Sequence, residues 1–199
     1  MSTEPLLLEA RSHDLGGGFM VRRAIPHMKA REVGPFVFFD HMGPVQFAAG
    51  QGVDVRPHPH IGLATVTYLF EGAMTHRDSL GMEQVIRPGD VNWMTAGSGI
   101  AHSERSPDAE RAAGHGLHGI QIWIGLPQAQ EEIAPEFHHH PSASLPSWNE
   151  GGVALRLIAG HYGPHRSPVA TYSPMFYLAA EFSAGSTMTL HPDHEQRAV

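Results

Sequence analysis

The chain has 199 residues, with 41% hydrophobic and 17% charged residues. This length and composition support a hydrophobic core and exclude a disordered chain. The net charge is −7 at pH 7, and the sequence has no stripe of basic residues, so nucleic acid is not an expected partner. With no cysteine present, disulfides and thiolate metal sites are excluded, and a metal would bind to His, Asp or Glu side chains.

The apolar runs are too short for a secretion signal or a membrane span. We therefore expect no contact with a membrane. The predicted location is the cytoplasm, or also the nucleus if the source is eukaryotic.

Frequent turns and short apolar runs predict an all-β protein. The 22 glycines and 16 prolines are about 19% of the 199 residues, more than the ordinary combined usage of roughly 12%. Between them lie short β-branched, aromatic or alternating runs that predict strands of an antiparallel sandwich or barrel. In the first part of the chain these runs are 37–39, which Gly43-Pro44 is expected to end, 64–70, 84–86, 91–94, 100–104 and 120–124.

The second part of the chain begins with a change of composition. Residues 128–137 could form a short helix after Pro127, and the prolines and serines that follow indicate a linker. Strand-like runs then resume at 153–158, 175–180 and 188–190. We therefore divide the chain into an N-terminal barrel at 1–127, a linker at 128–150 and the start of a second barrel at 151–199.

Two short motifs carry candidate metal ligands. His58-Pro59-His60 and His102-Ser103-Glu104 each place two ligand-type side chains at positions i and i+2, which share one face of a strand. If the intervening strands close a barrel, three imidazoles and one carboxylate converge in its interior. This set suits a divalent first-row transition metal and leaves two octahedral positions open. The alternative is a group of core histidines, which would be costly to bury without a metal.

The glycines around these motifs resemble the two cupin motifs. Gly52, five further residues, His58 and His60, with Gly72 as the closing glycine, fit the first motif. Its glutamate is missing, since Ala64 and Thr65 occupy the two positions where it would stand. The second motif is approximated by residues 97–102, where Gly97 replaces the usual proline and the first glycine is displaced to Gly89.

These departures resemble the pirin family, a branch of the cupins. Residues 56–68 (RPHPHIGLATVTY) and 95–104 (TAGSGIAHSE) resemble its metal-binding segments, and residues 35–44 (PFVFFDHMGP) and 118–127 (HGIQIWIGLP) also match its pattern. The likeness covers about residues 20–199.

The resemblance implies a bicupin, in which two jelly-roll barrels face each other and only the first binds metal. It assigns His58, His60, His102 and Glu104 as ligands of one divalent metal. Iron(II) is favoured from the family alone, and Mn, Ni, Co, Cu and Zn accept the same donors. It also implies that Ala64 lies near the metal. Pirins are longer than this chain, so the second barrel is expected to be incomplete at residue 199.

The resemblance implies two functions of different classes. The first is a quercetinase-like dioxygenase that opens flavonols with O₂ and releases carbon monoxide, with Glu104 as metal ligand and catalytic base. The second is an iron-dependent redox sensor that binds a protein partner, a transcription factor or a metabolic enzyme, without turnover. An inert cupin that binds metal is a third alternative.

The remaining histidines are predicted to have ordinary roles. The tract 138–140 is expected in a solvated loop, His41 in a turn under the first barrel, and Asp78 in solvent beside a turn. His191, His194 and Glu195 form a weaker candidate for a second site. A faint repeat aligns residues 58–66 with 191–199, where Asp193 replaces His60. The other histidines are expected at the surface or in loops: His76, His115, His118, His161 and His165.

Overall fold

The computed structural model describes residues 4–16, 18–191 and 193–199. In this part of the chain one α-helix, α1 (Asp108–Ala113), accompanies fifteen strands. The strands of the first 127 residues are β1 (Arg11–Asp14), β2 (Met20–Ile25), β3 (Phe36–Phe47), β4 (Asp54–His60), β5 (Leu63–Glu71), β6 (Met74–Asp78), β7 (Glu83–Ile86), β8 (Val91–Thr95), β9 (Ile100–Arg105) and β10 (His115–Gly125). The later strands are β11 (Glu136–His140), β12 (Ser147–Glu150), β13 (Val153–Tyr162), β14 (His165–Arg166) and β15 (Phe176–Phe182).

The strands form three antiparallel sheets. The largest has the order β1-β2-β3-β10-β5-β8-β11, and a smaller one has the order β4-β9-β6-β7. The third has the order β12-β13-β14, with β15 also paired to β13. This confirms the predicted all-β, bicupin-type fold class. Within the described residues, the strands pair as open sheets, and no sheet closes into a barrel. The domain boundaries at 127 and 150 stay a prediction.

The seven-stranded sheet is covered on both faces, and β5 shows how. Six consecutive residues of this strand, 64–69, are buried. Because successive side chains point to opposite faces, Ala64 packs in a cluster with Leu145, Ile158 and Met175 of the C-terminal region. Leu69 packs on the other face with residues of the small sheet.

Two of the hydrophobic clusters pack the large sheet against the other two sheets. The cluster between the large and small sheets contains residues of both. Its buried members are Phe19, Val21, Met42, Val53, Leu69, Met74, Ile86 and Leu117. The cluster against the C-terminal sheet includes Val66, Tyr68, Val91, Trp93, Ile122, Ile124, Ile158, Ala159, Val169 and Met175.

The sequence predicted that the strand would end at Gly43-Pro44. This is wrong, because β3 continues to Phe47. The register with β10 passes from Met42↔Gly119 to Val45↔Leu117, so Gly43 and Pro44 form a bulge. A bulge is one of the few places where a sheet accepts proline, because the missing N–H is not needed for the ladder.

The predicted helix at 128–137 is wrong. Only a 3-10 turn, Gln128–Gln130, forms there. The histidine tract that was expected in a loop lies in β11, which pairs with β8 through His138↔Trp93 and His140↔Val91. Phe137 packs against the cluster that contains Met94, and Nδ1 of His139 lies 2.8 Å from Oδ1 of Asn92. Pairing with β8, rather than helix periodicity, decides the structure of this segment.

At the C-terminus, residues 188–190, predicted as a strand, form no regular structure. The proposed repeat of 58–66 includes Pro192, which lies outside the described residues. The short helix α1 was not predicted from the sequence. No helix in the described ranges is long and apolar enough to cross a membrane.

Candidate metal centre

The two predicted ligand motifs lie on adjacent strands. β4 and β9 are antiparallel neighbours, and His58 pairs with His102 and Val55 with Glu104. Side chains directly opposite each other in such a pair point to the same face, with Cβ atoms about 4.5–5.5 Å apart. The pairing therefore brings both motifs to the face of the small sheet that meets the large sheet.

Three imidazoles form a compact cluster. Ligand-type nitrogens of His58, His60 and His102 all lie within 4.8 Å of one another. The ring centroids are 4.9 Å apart for His58 and His60, 4.5 Å for His58 and His102, and 5.0 Å for His60 and His102. Among the described residues this is the one group of three or more His and acidic side chains with that geometry.

The cluster has the electrostatics of a cation site. Nε2 of His60 and Nε2 of His102 are buried and have no hydrogen-bond partner in the described part of the chain. Burial, reinforced by His58, lowers the pKa of His60 to about 4. Burial and the neighbouring histidines lower the pKa of His102 to about 2. Both rings are therefore neutral at physiological pH, the state in which an imidazole ligates a metal.

His58 is oriented by its own strand. Its Nδ1 lies 2.9 Å from the backbone oxygen of Arg56, so Nδ1–H donates to that oxygen and Nε2 keeps its lone pair. A hydrogen bond from the far ring nitrogen to a carbonyl is the usual support of a metal-binding histidine. The unpartnered nitrogens and the neutral rings together fit a divalent metal.

Glu104 is buried beside this cluster. Its Oε1 lies 3.3 Å from Oγ1 of Thr67, which is also 2.7 Å from Oε1 of Gln121. Burial raises the pKa of Glu104, and the proximity of His58 and the hydrogen bond with Thr67 oppose this. The group with ligand atoms within 4.8 Å of one another consists of the three histidines, and Glu104 is not part of it.

Aromatic side chains form the wall behind His60. Trp123 contacts the ring of His60 edge to face at 4.9 Å and stacks on Phe38 at 3.9 Å. Arg23 lies over the other side of Phe38 at 4.2 Å and makes two 2.8 Å hydrogen bonds with Asp40. This arrangement fixes the position of His60 from the large sheet.

His76 was missed as a site residue, since the sequence predicted it at the surface or in a loop. It is buried, and its Nδ1 lies 3.3 Å from Nδ1 of His102. Asp78, expected in solvent, has a fully buried side chain that pairs with Nε2 of His76 at 2.9 Å. The signal was present, because His76 and Asp78 have the same i, i+2 spacing as the two ligand motifs.

The other predicted candidates lie elsewhere. Ala64 faces the C-terminal sheet, so the expectation that it lies near the metal is wrong. His41 is in β3, not in a turn, and pairs with His118 at 2.8 Å. His194 contacts Phe176 and His161, and His191 donates its backbone N–H to Tyr162.

Comparison with known proteins identifies relatives over most of the chain. The Pirin family model matches residues 18–124. A Pirin-like protein of Caulobacter vibrioides is 51% identical over 98% of this chain and 68% of its own length. A Pseudomonas aeruginosa protein named "Putative quercetin 2,3-dioxygenase PA1205" is 47% identical over 94% of this chain and 58% of its own length.

A similar fold is found in a solved crystal structure. The crystal structure of quercetin 2,3-dioxygenase from Acinetobacter baumannii superposes with a TM-score of 0.81 and 42% identity, over 86% of this chain and 56% of that protein. The chain thus spans between 56 and 68% of the length of these relatives. The family match, the identity and the shared fold agree, and the chain belongs to the pirin family.

Proposed function

We propose that this chain carries the metal centre of a dioxygenase that opens flavonols such as quercetin. The reaction consumes one O₂ and releases one carbon monoxide, so the remaining product has lost one carbon atom and gained one oxygen atom. The observation that carries the proposal is the cluster of three imidazoles, in which two buried Nε2 atoms have no partner among the described residues. The relatives named as quercetin dioxygenases supply the substrate class.

In this proposal His58, His60 and His102 hold one divalent metal, with Glu104 as the fourth protein ligand. Iron(II) is our preferred metal. When bound, the metal supplies a Lewis acid that lowers the pKa of a flavonol hydroxyl and leaves positions for substrate and O₂. The low pKa values of His60 and His102 keep their lone pairs available without competition from protons.

Glu104 acts as the base that takes the proton of the flavonol hydroxyl. A carboxylate within hydrogen-bond reach of a substrate hydroxyl can take its proton, and Glu104 is buried beside the three histidines. A hydroxyl group has a single proton, and the shorter contact of Thr67 is with Gln121. Once protonated, Glu104 can therefore donate to Oγ1 of Thr67, which donates in turn to Gln121. These two hydrogen bonds in series hold the proton within the site.

The test is oxygen uptake by the iron(II)-loaded protein with and without quercetin, together with measurement of carbon monoxide. The His58→Ala/His60→Ala protein is the blank. We expect quercetin-dependent uptake with one carbon monoxide released per O₂, and neither in the blank. Equal uptake by the blank would refute the assignment of the site.

The same experiment separates the two classes of function. If the protein holds iron at this site and consumes no O₂ with quercetin, the dioxygenase proposal fails. The redox-sensing alternative, in which the iron state controls binding of a protein partner, would then be the one to pursue.

A further inference from the structure

Behind the cluster, three side chains form a buried line that ends at His102. Oδ2 of Asp78 lies 2.9 Å from Nε2 of His76, and Nδ1 of His76 lies 3.3 Å from Nδ1 of His102. We propose that Asp78 and His76 are positioning residues that fix the tautomer of His102, so that its Nε2 carries the lone pair that faces the cluster. This inference rests on the proposed metal site.

Asp78 sets the direction of the line. Its Oδ1 accepts hydrogen bonds from the backbone N–H groups of Leu80, at 2.9 Å, and Met82, at 3.1 Å. Its side chain is fully buried. An ionised carboxylate offers acceptors only, so the nitrogen of His76 that faces Oδ2 must be the one that bears the proton.

The proton on His76 decides the one on His102. A neutral imidazole has one N–H and one lone pair. With Nε2–H directed at Asp78, Nδ1 of His76 is an acceptor. Nδ1 of His102 must then donate to it, and Nε2 of His102 is left with its lone pair. Nε2 of His102 is buried and has no hydrogen-bond partner in the described ranges.

The backbone and one aromatic ring hold the line in place. β6 pairs with β9 through His76↔Glu104 and Asp78↔His102, so the line runs between neighbouring strands. The ring of Phe137 stacks on His76 at 4.3 Å with an interplanar angle of 19°. His76 therefore has little freedom to turn away from His102.

The substitution Asp78→Asn tests the direction of the protons. An amide has one acceptor side and one donor side. If its NH₂ faces His76, the tautomer of His76 reverses, and so does that of His102, whose Nε2 then bears hydrogen. If its oxygen faces His76, the NH₂ meets the N–H groups of Leu80 and Met82. We expect iron(II) binding to weaken 10- to 100-fold, as is typical when a partner of a metal ligand is removed.

A second pair of variants separates positioning from packing. His76→Asn retains an oxygen at the position of Nδ1, whereas His76→Leu has nearly the same shape and no acceptor. We expect the Leu variant to be at least as stable as the Asn variant without metal, yet to bind iron(II) more weakly. Glu83→Gln, which breaks the exposed ion pair with Arg77, is the control and should leave the affinity unchanged.

Two measurements are made on each variant: anaerobic competition titration with iron(II), and the ring-nitrogen NMR signals of His102 in the metal-free protein. We expect Nδ1–H in the wild type and a change of tautomer or tautomer mixture in Asp78→Asn and His76→Leu. An unchanged tautomer with unchanged affinity in both variants would overturn the proposal. Failure of the wild type to bind iron(II) would instead refute the metal site, and the NMR signals would still decide the tautomer.

Discussion

His58 and His102 face each other directly across the pair of β4 and β9, with ring centroids 4.5 Å apart. This pairing depends on a bulge. The register shifts between Val55↔Glu104 and His58↔His102, which places one extra residue on β4. Without it, Pro57 and Pro59 would face the site and both histidines would point to the other side, because a slip of one residue reverses every side chain.

The first prediction concerns the ligands. We expect His60→Ala to lower the affinity for iron(II) by at least about 100-fold, more than the loss of a supporting contact to a ligand. His138→Ala is the matched control, since His138 is half-exposed on the edge strand β11 and pairs with Glu136. Competition titration and metal analysis of the purified proteins measure both. A loss of affinity in His138→Ala with none in His60→Ala would place metal binding at the histidine tract.

The second prediction concerns stability against pH in the metal-free protein. Burial lowers the pKa of His60 to about 4, so between about pH 6.5 and pH 4 the unfolded chain binds this proton and the folded chain does not. Stability is therefore full above pH 6.5 and falls as the pH is lowered toward 4, by up to roughly 1.4 kcal/mol per pH unit for one such group.

Denaturant unfolding between pH 7.5 and 4.5 measures this dependence. His60→Leu, which has no titrating group at this position, should show a smaller loss over the same range. Identical pH profiles for the two proteins would contradict the buried, neutral state of His60.

The third prediction concerns Glu104. Because burial raises its pKa, the metal-free protein is destabilised as the pH rises and the carboxyl group ionises in the folded state. Glu104→Gln removes this charge, so we expect the metal-free variant to be more stable than the wild type at pH 8, with a smaller difference at pH 4.5.

The same variant tests the catalytic role. Glu104→Gln should keep part of its iron(II) through the three histidines and lose most quercetin-dependent oxygen uptake. Thermal unfolding at the two pH values and uptake at matched iron content are the measurements. Full turnover in the variant would exclude Glu104 as the base.

The fourth prediction concerns the turn before β9. Gly97 has φ of +50°, and a Cβ at this position would overlap the carbonyl oxygen of Ile133. Gly163 has a similar φ of +55° and open space around it. Gly163→Ala should therefore cost only the backbone strain, about 1–3 kcal/mol, and Gly97→Ala should cost more. Urea unfolding measures both, and equal costs would show that the contact with Ile133 is unimportant.

Local sequence patterns determined the class of fold and the two pairs of candidate ligands. Alternating runs such as 120–124 and the turns between them are short-range signals, and the structure places β10 there. The i, i+2 spacing puts His58 with His60 and His102 with Glu104 on shared faces through strand geometry alone. The same rule could have found His76 and Asp78.

Only the tertiary structure decided which faces meet and which segments pair. The bulge at β4 aims the histidines at the site, and the face of β5 turned toward the C-terminal sheet takes Ala64 away from it. β11 forms a strand because β8 offers it a partner edge. Hydrogen bonds and burial between residues distant in sequence fix these choices, whereas the residues themselves carry only the local alternation that makes a strand available.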